Sequence, residues 1–219
     1  MAGLVCLQGG GEFSPACHDM DAALLARAPG PVAVLALAAR PGAEHDRAAA
    51  HGVSHFRRLG AEAFAVPDPR EPGAREGDAA RALEGVGLVV LPGGSPSRLR
   101  DALLTTGLDE VLRGHVAAGG AVMGASAGAM VLGSWTVLPE EGPALAPGLG
   151  LAEGVVVVPH WHGARDDWLA VIGEGLVLGL PEESGVLIEN GQMTAVGVRD
   201  VRLIREGADL SVGHTQPVP

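Results

Sequence analysis

A chain of 219 residues, 47% of them hydrophobic, is long enough to bury one sizeable core and too apolar to be disordered. Its net charge of −11 argues against nucleic-acid and anionic-membrane partners, and no apolar run approaches the roughly 20 residues that a membrane span needs. Lysine and tyrosine are both missing, which removes Schiff-base chemistry, a phosphate-gripping Walker lysine and a tyrosine general acid.

In chain order, Leu4–Leu7 is an apolar run cut off by Gly9-Gly10-Gly11, and Asp21–Arg27 reads as helix. Pro31–Ala38 has the look of a buried strand, and Glu44–Leu59 that of a helix stopped by Gly60. Ala63–Val66 is a short strand, Pro67–Gly77 an exposed Pro- and Gly-rich loop, and Asp78–Glu84 a helix. Gly87–Leu91 is a strand entering Pro92-Gly93-Gly94. Helices follow over Ser97–Leu104 and Leu108–Ala118, with Gly119-Gly120 as the exit. Ala121–Gly124 is the next strand and Ala127–Leu132 opens the next helix. Apolar strands alternating with helices predict an α/β fold, a doubly wound and mostly parallel sheet flanked by helices, over residues 1–219 as one domain.

After Pro139 the pattern changes. Val155–Val158 is a strand, Asp166–Glu174 a helix, and Val186–Glu189, Met193–Val198 and Val201–Ile204 are short strands. Asn190-Gly191 between two of them is a hairpin signal, so this edge of the sheet is expected to be antiparallel. Cys6 and Cys17 do not form a CxxC pair, and no basic-then-apolar leader follows Met1; free thiols and a cytoplasmic setting are expected.

The chemistry concentrates in Gly124-Ala125-Ser126-Ala127-Gly128. A strand running into a serine flanked by glycines two residues either side, with a helix after it, is the context of a nucleophile elbow. The Ala127 N–H then points with the serine oxygen towards a developing oxyanion, aided by the helix N-terminus. The bland alternative is a tight turn whose serine merely caps the helix. A serine nucleophile needs a base. His45, His51, His55 and His115 fall within helical stretches and read as solvated, whereas His160 ends the VVVVP strand, the edge at which open α/β sheets bind ligands. His160, His162 and Asp166 have the spacing of a strand-end metal pair, but no third His or Cys completes it locally, so neither metal nor organic cofactor is expected.

Five stretches in register resemble the dipeptidase E and cyanophycinase group of serine peptidases: GGGE at Gly9–Glu12, LPGGSPSRL at Leu91–Leu99, GASAGAM at Gly124–Met130, GLGLAEGVVVVPHW at Gly148–Trp161 and GLPEESGVLIENG at Gly179–Gly191. The resemblance implies a class I glutamine amidotransferase-like, flavodoxin-like fold and hydrolysis of small or aspartate-containing peptides through an acyl-enzyme. It makes Ser126 the nucleophile, His160 the base and Glu182 the orienting acid, with Glu183 as the neighbouring candidate for that last role. It gives the oxyanion N–H groups to Gly94 and Ala127 and implies a monomer or homodimer. The chain departs from the family pattern where Ser95 stands in place of Asn after the last glycine, and where the loop after the histidine is short. That loop carries one arginine, Arg165, as the candidate for a substrate carboxylate, and Trp168 near the place of a second.

Two other readings stay open on the sequence. An α/β-hydrolase esterase or thioesterase would pair Ser126 with His214 and Asp200 or Asp209, in the chain order serine, acid, histidine. A non-catalytic binding module would keep the fold and leave the elbow idle.

Overall fold

The structure, a computed structural model, describes residues 3–140, 142–163, 165–173 and 175–218. It is a mixed α/β architecture with two sheets flanked by helices. Strands β1 (Leu4–Gln8), β2 (Val32–Val34), β3 (Ala63–Ala65), β4 (Leu88–Leu91) and β5 (Ala121–Ala125) form parallel ladders in the spatial order β1-β5-β4-β2-β3. Helices α1 (His18–Arg27), α2 (Ala43–Arg58), α3 (Asp78–Ala82), α4 (Pro96–Thr106) and α5 (Leu108–Ala117) connect them, and α6 (Ala127–Leu132) follows β5.

Every residue of β1, β2, β4 and β5 is buried, and successive side chains leave on opposite faces. Leu4, Cys6, Val32, Val34, Leu88, Val90 and Met123 pack with Leu24 of α1 and Val53 and Phe56 of α2. The alternate residues Val5, Leu7, Ala33, Val89, Leu91 and Val122 pack against α4, α5 and α6 on the other face. This two-sided burial explains why these strands read as continuous apolar runs with no polar alternation.

One sheet was expected; there are two. Strands β6 (Gly133–Leu138), β7 (Ala144–Pro147), β8 (Ala152–Val158), β9 (Leu176–Gly179), β12 (Val201–Leu203) and β13 (Ala208–Leu210) make a six-stranded sheet that shares the larger core. Strands β10 (Ser184–Glu189), β11 (Gln192–Gly197) and β14 (Thr215–Pro217) extend the first sheet beside β1, all antiparallel. The β10–β11 hairpin turns at Asn190-Gly191 as its sequence predicts. The ladders are therefore mixed and not mostly parallel.

Other expectations shift as well. The Pro31–Ala38 strand shrinks to the three residues of β2, and the Asp166–Glu174 helix to one turn, α7 (Asp166–Leu169), with Glu174 outside the described residues. Past that turn the Ile172 carbonyl accepts from Arg205 instead of from a further helical N–H. His45 and His55 are buried, not solvated, while the Pro67–Gly77 loop is exposed over residues 72–77 as expected, with Asp68 as its one buried residue. No helix among the described residues is long and apolar enough to cross a membrane. Cys6 and Cys17 are free and buried, and burial pushes both thiols up.

Candidate active site

The strand-to-helix turn at Ser126 has the geometry its sequence demands. Ser126 takes φ 49°, a left-handed value costly for a residue with a Cβ, between β5 and α6. Its N–H donates to the Gln8 carbonyl at 2.9 Å and its carbonyl accepts from Met130. A Cβ on Gly124 would lie 2.4 Å from the Gly128 carbonyl carbon, and one on Gly128 would lie 2.2 Å from the Leu91 carbonyl oxygen. The two glycines are there because the backbone of the elbow closes on itself and on β4.

Two other segments converge on this turn. His160 follows β8 and Pro159, again at positive φ (50°), with its N–H donating to the Gly9 carbonyl at 2.8 Å. Glu182 and Glu183 lie where the chain passes from β9 in the second sheet to β10 in the first, and the Glu183 N–H donates to the Gly10 carbonyl at 2.7 Å. The glycine loop after β1 is thus the brace for both. A Cβ on Gly10 would fall 2.3 Å from His160 Cε1, so glycine is required where the imidazole lies against the loop. Of the five non-glycine residues with positive φ among those described, Ser126, His160 and Glu183 stand in or beside this cluster. Strain of this kind persists where surrounding contacts over-determine it.

The side chains line up. Ser126 Oγ lies 2.8 Å from His160 Nε2, and His160 Nδ1 lies 2.9 Å from Glu182 Oε1. An ionised carboxylate only accepts, so Nδ1–H donates to Glu182, which leaves Nε2 free to accept from the serine hydroxyl. Glu183 points elsewhere: its Oε1 accepts from Ser14 Oγ at 2.8 Å. The N–H groups of Gly94 and Ala127 have no acceptor among the described residues.

Ser95 N-caps α4, its Oγ accepting from Arg98 N–H at 3.1 Å, while the Ser95 and Ser97 hydroxyls donate to Glu140. Burial works against that carboxylate's ionisation, yet the two serine hydrogen bonds prevail and hold Glu140 below the usual range. The Arg165 guanidinium stacks over Trp168, 5.0 Å from the ring centroid. His162 is exposed, and no group of three or more His, Cys, Asp or Glu among the described residues is placed to hold a metal ion.

The alternative histidine is not brought to Ser126. His214 precedes β14, the outer strand of the eight-stranded sheet, with β11, β10 and β1 between it and β5. Asp200 binds Ser211 and the Val212 N–H, and Asp209 pairs with Arg202. A cavity of about 620 Å³ lined by Gly3, Val116, Ile188 and Gly191 opens at the opposite ends of the strands and contains none of these groups.

Sequence reasoning gave no role to Glu12, whose Oε1 accepts from the Gly93 N–H at 2.7 Å. It also missed the buried pair of Asp21 and His55, 2.7 Å apart, which ties α1 to α2. Burial raises the Asp21 carboxyl above its ordinary range, against the hydrogen bond and charge of His55.

The family model for peptidase family S51 matches residues 30–204. The fold is similar to that of a peptidase from an acI-B1 Actinobacterium, at 22% identity and a TM-score of 0.83, covering 99% of this chain and 97% of the other. It is also similar to a protein from Listeria monocytogenes EGD-e that carries the peptidase E name, at 14% identity and a TM-score of 0.69, covering 90% of this chain and 100% of the other. No curated protein sequence matches the chain.

Proposed function

The chain belongs to peptidase family S51, the dipeptidase E family of serine peptidases, and on that premise we propose that it hydrolyses small peptides through a Ser126–His160–Glu182 triad. The observation that carries this reading is the continuous relay of 2.8 Å and 2.9 Å from the serine oxygen through the imidazole to the carboxylate.

The Ser126 oxygen attacks the scissile carbonyl while His160 Nε2 takes its proton, and Glu182 stabilises the imidazolium that results. The tetrahedral oxyanion is received by the free N–H groups of Gly94 and Ala127, fixed in place before the charge appears. Collapse breaks the C–N bond, with His160 returning the proton to the departing amine. Water, activated by the same imidazole, then hydrolyses the acyl-enzyme. Arg165 is the cation through which an aspartate-containing substrate would be held, as a guanidinium pairs well with a carboxylate. In the same reading the fold is an amidotransferase-like one, a description supported by the parallel order β1-β5-β4-β2-β3 with the nucleophile after β5.

Labelling with a fluorophosphonate serine probe tests the triad. Wild type is expected to label, and Ser126→Ala and His160→Ala to lose labelling and about 10⁴-fold or more in kcat. Glu182→Gln should lose about 10²- to 10⁴-fold and His214→Ala should match wild type. A folded wild type that does not label, or labelling that depends on His214 and not His160, sinks the reading.

A further inference from the structure

Three consecutive amides follow β4, and two of them are tied down. The Gly93 N–H donates to Glu12 Oε1 at 2.7 Å, and the Ser95 N–H donates to the Ala38 carbonyl at 3.1 Å. Between them the Gly94 N–H has no acceptor among the described residues. Gly94 takes φ 145°, and a Cβ there would fall 2.6 Å from the Ala38 oxygen, so the turn is pressed against the segment after β2. Its two anchors differ in kind. On the Ala38 side the carbonyl also accepts from Arg98 at 2.7 Å, a backbone-based support. On the other side the anchor is one side chain, reaching 81 positions along the chain from the loop that braces His160.

Glu12 also stands beside the nucleophile. A Cβ on Gly93 would lie 2.8 Å from Glu12 Oε1 and 3.3 Å from Ser126 Cβ. A carboxylate so close to a developing oxyanion opposes it electrostatically. Its charge is therefore no help to the reaction, and the feature to be explained is the hydrogen bond. A hydrogen bond from a backbone N–H to a well-placed side-chain oxygen, charged or not, fixes the peptide plane that carries it.

We propose that Glu12 is the positioning residue of the oxyanion site: its carboxylate holds the Gly93 amide so that the next amide, Gly94, presents its N–H to the carbonyl that Ser126 attacks. The assignment rests on the nucleophile reading above and adds a residue that does not itself touch the substrate. Removing one oxyanion donor costs about 10²- to 10³-fold in kcat, and leaving a donor in place but loosely aimed costs less. Because the role needs an acceptor and not a charge, glutamine should serve where alanine fails.

The test measures kcat and KM on the best of a panel of aminoacyl p-nitroanilides, together with the second-order rate of fluorophosphonate labelling. In that labelling Ser126 Oγ forms the P–O bond, fluoride leaves, and His160 takes the proton. Glu12→Ala is expected to lower kcat and the labelling rate together by about 10- to 100-fold, with KM changed less than about threefold. Glu12→Gln should restore both rates to within about threefold of wild type. Should Glu12→Ala not fold, Glu12→Asp makes the same comparison, since it keeps the charge and withdraws the oxygen by one methylene; it should be slow. Labelling of Glu12→Ala at the wild-type rate overturns the assignment, as does Glu12→Gln as slow as alanine, or a loss confined to KM. A wild type that neither labels nor turns over removes the nucleophile reading, and this assignment falls with it; normal wild-type labelling matched by Glu12→Ala removes this assignment alone.

Discussion

At the scale of single residues, the polar groups that matter most are not all in the relay. Asp68, its side chain 1% exposed, receives three hydrogen bonds from Arg70, and Arg70 also donates to the carbonyls of Leu37 and Ala39. That clasp shapes the segment whose Ala38 carbonyl supports the Gly94 turn. Burial opposes ionisation of Asp68, but the Arg70 hydrogen bonds and charge outweigh it and hold the carboxyl below its ordinary value. A depressed native pKa means stability fully present above the unfolded value of about 3.9 and lost as the pH falls through the native one. Arg70→Ala leaves a buried carboxylate unpaired and should cost about 3 kcal/mol at pH 7 in urea denaturation, a cost that shrinks as the pH falls below about 4. An equal cost at pH 7 and pH 3 would show that Arg70 acts by packing alone. None of this was legible: an Asp and an Arg two positions apart in a Pro-rich loop leave no periodic trace, and the carbonyls that Arg70 binds lie some thirty residues back. Ser126, by contrast, could be singled out because its local backbone imposes glycine at two fixed offsets.

At the scale of elements, one elbow glycine and one inter-helix glycine separate crowding from backbone freedom. Gly128→Ala puts a methyl 2.2 Å from the Leu91 carbonyl oxygen, so α6 must lift away from β4. Gly107, between α4 and α5 at φ 69°, has nothing within 4 Å of an added Cβ, so alanine there costs only the left-handed conformation. Gly128→Ala is expected to lose about 3 kcal/mol and Gly107→Ala about 1 kcal/mol, compared by denaturation midpoints at a common slope. Equal losses would mean that the elbow has room to relax. The buried parallel strands and α6 were legible because their burial is continuous and their ends are marked by glycine. The second sheet was not: β7 and β9 have four residues each, and β6 follows α6 with no break, so neither length nor punctuation marks them as strands of a separate sheet. His45 shows a signal that was present and unread, since positions 45, 49, 52, 53 and 56 lie on one buried face of α2.

At the scale of the molecule, the site is a seam. Ser126 comes from the end of β5 in the eight-stranded sheet, His160 from the end of β8 in the six-stranded one, and Glu182 from the strand-to-strand passage between them. One hydrophobic core runs from Val5 and Val122 to Val156 and Leu178, so the two sheets are packed through shared side chains. Local stability follows buried contacts, and the buried hydrophobic residues of the second sheet all lie in this shared core, so that sheet has no core of its own with which to persist alone. All three tryptophans, Trp135, Trp161 and Trp168, lie in the second sheet or in the segment with α7 that joins β8 to β9, so their fluorescence reports that half of the molecule. Far-ultraviolet circular dichroism reports both halves, and fluorophosphonate labelling reports the seam. In a urea titration the three transitions are expected to overlay. A fluorescence transition at lower urea than the circular dichroism would divide the core into two units, and labelling lost before either would mean that the seam opens while both sheets remain folded.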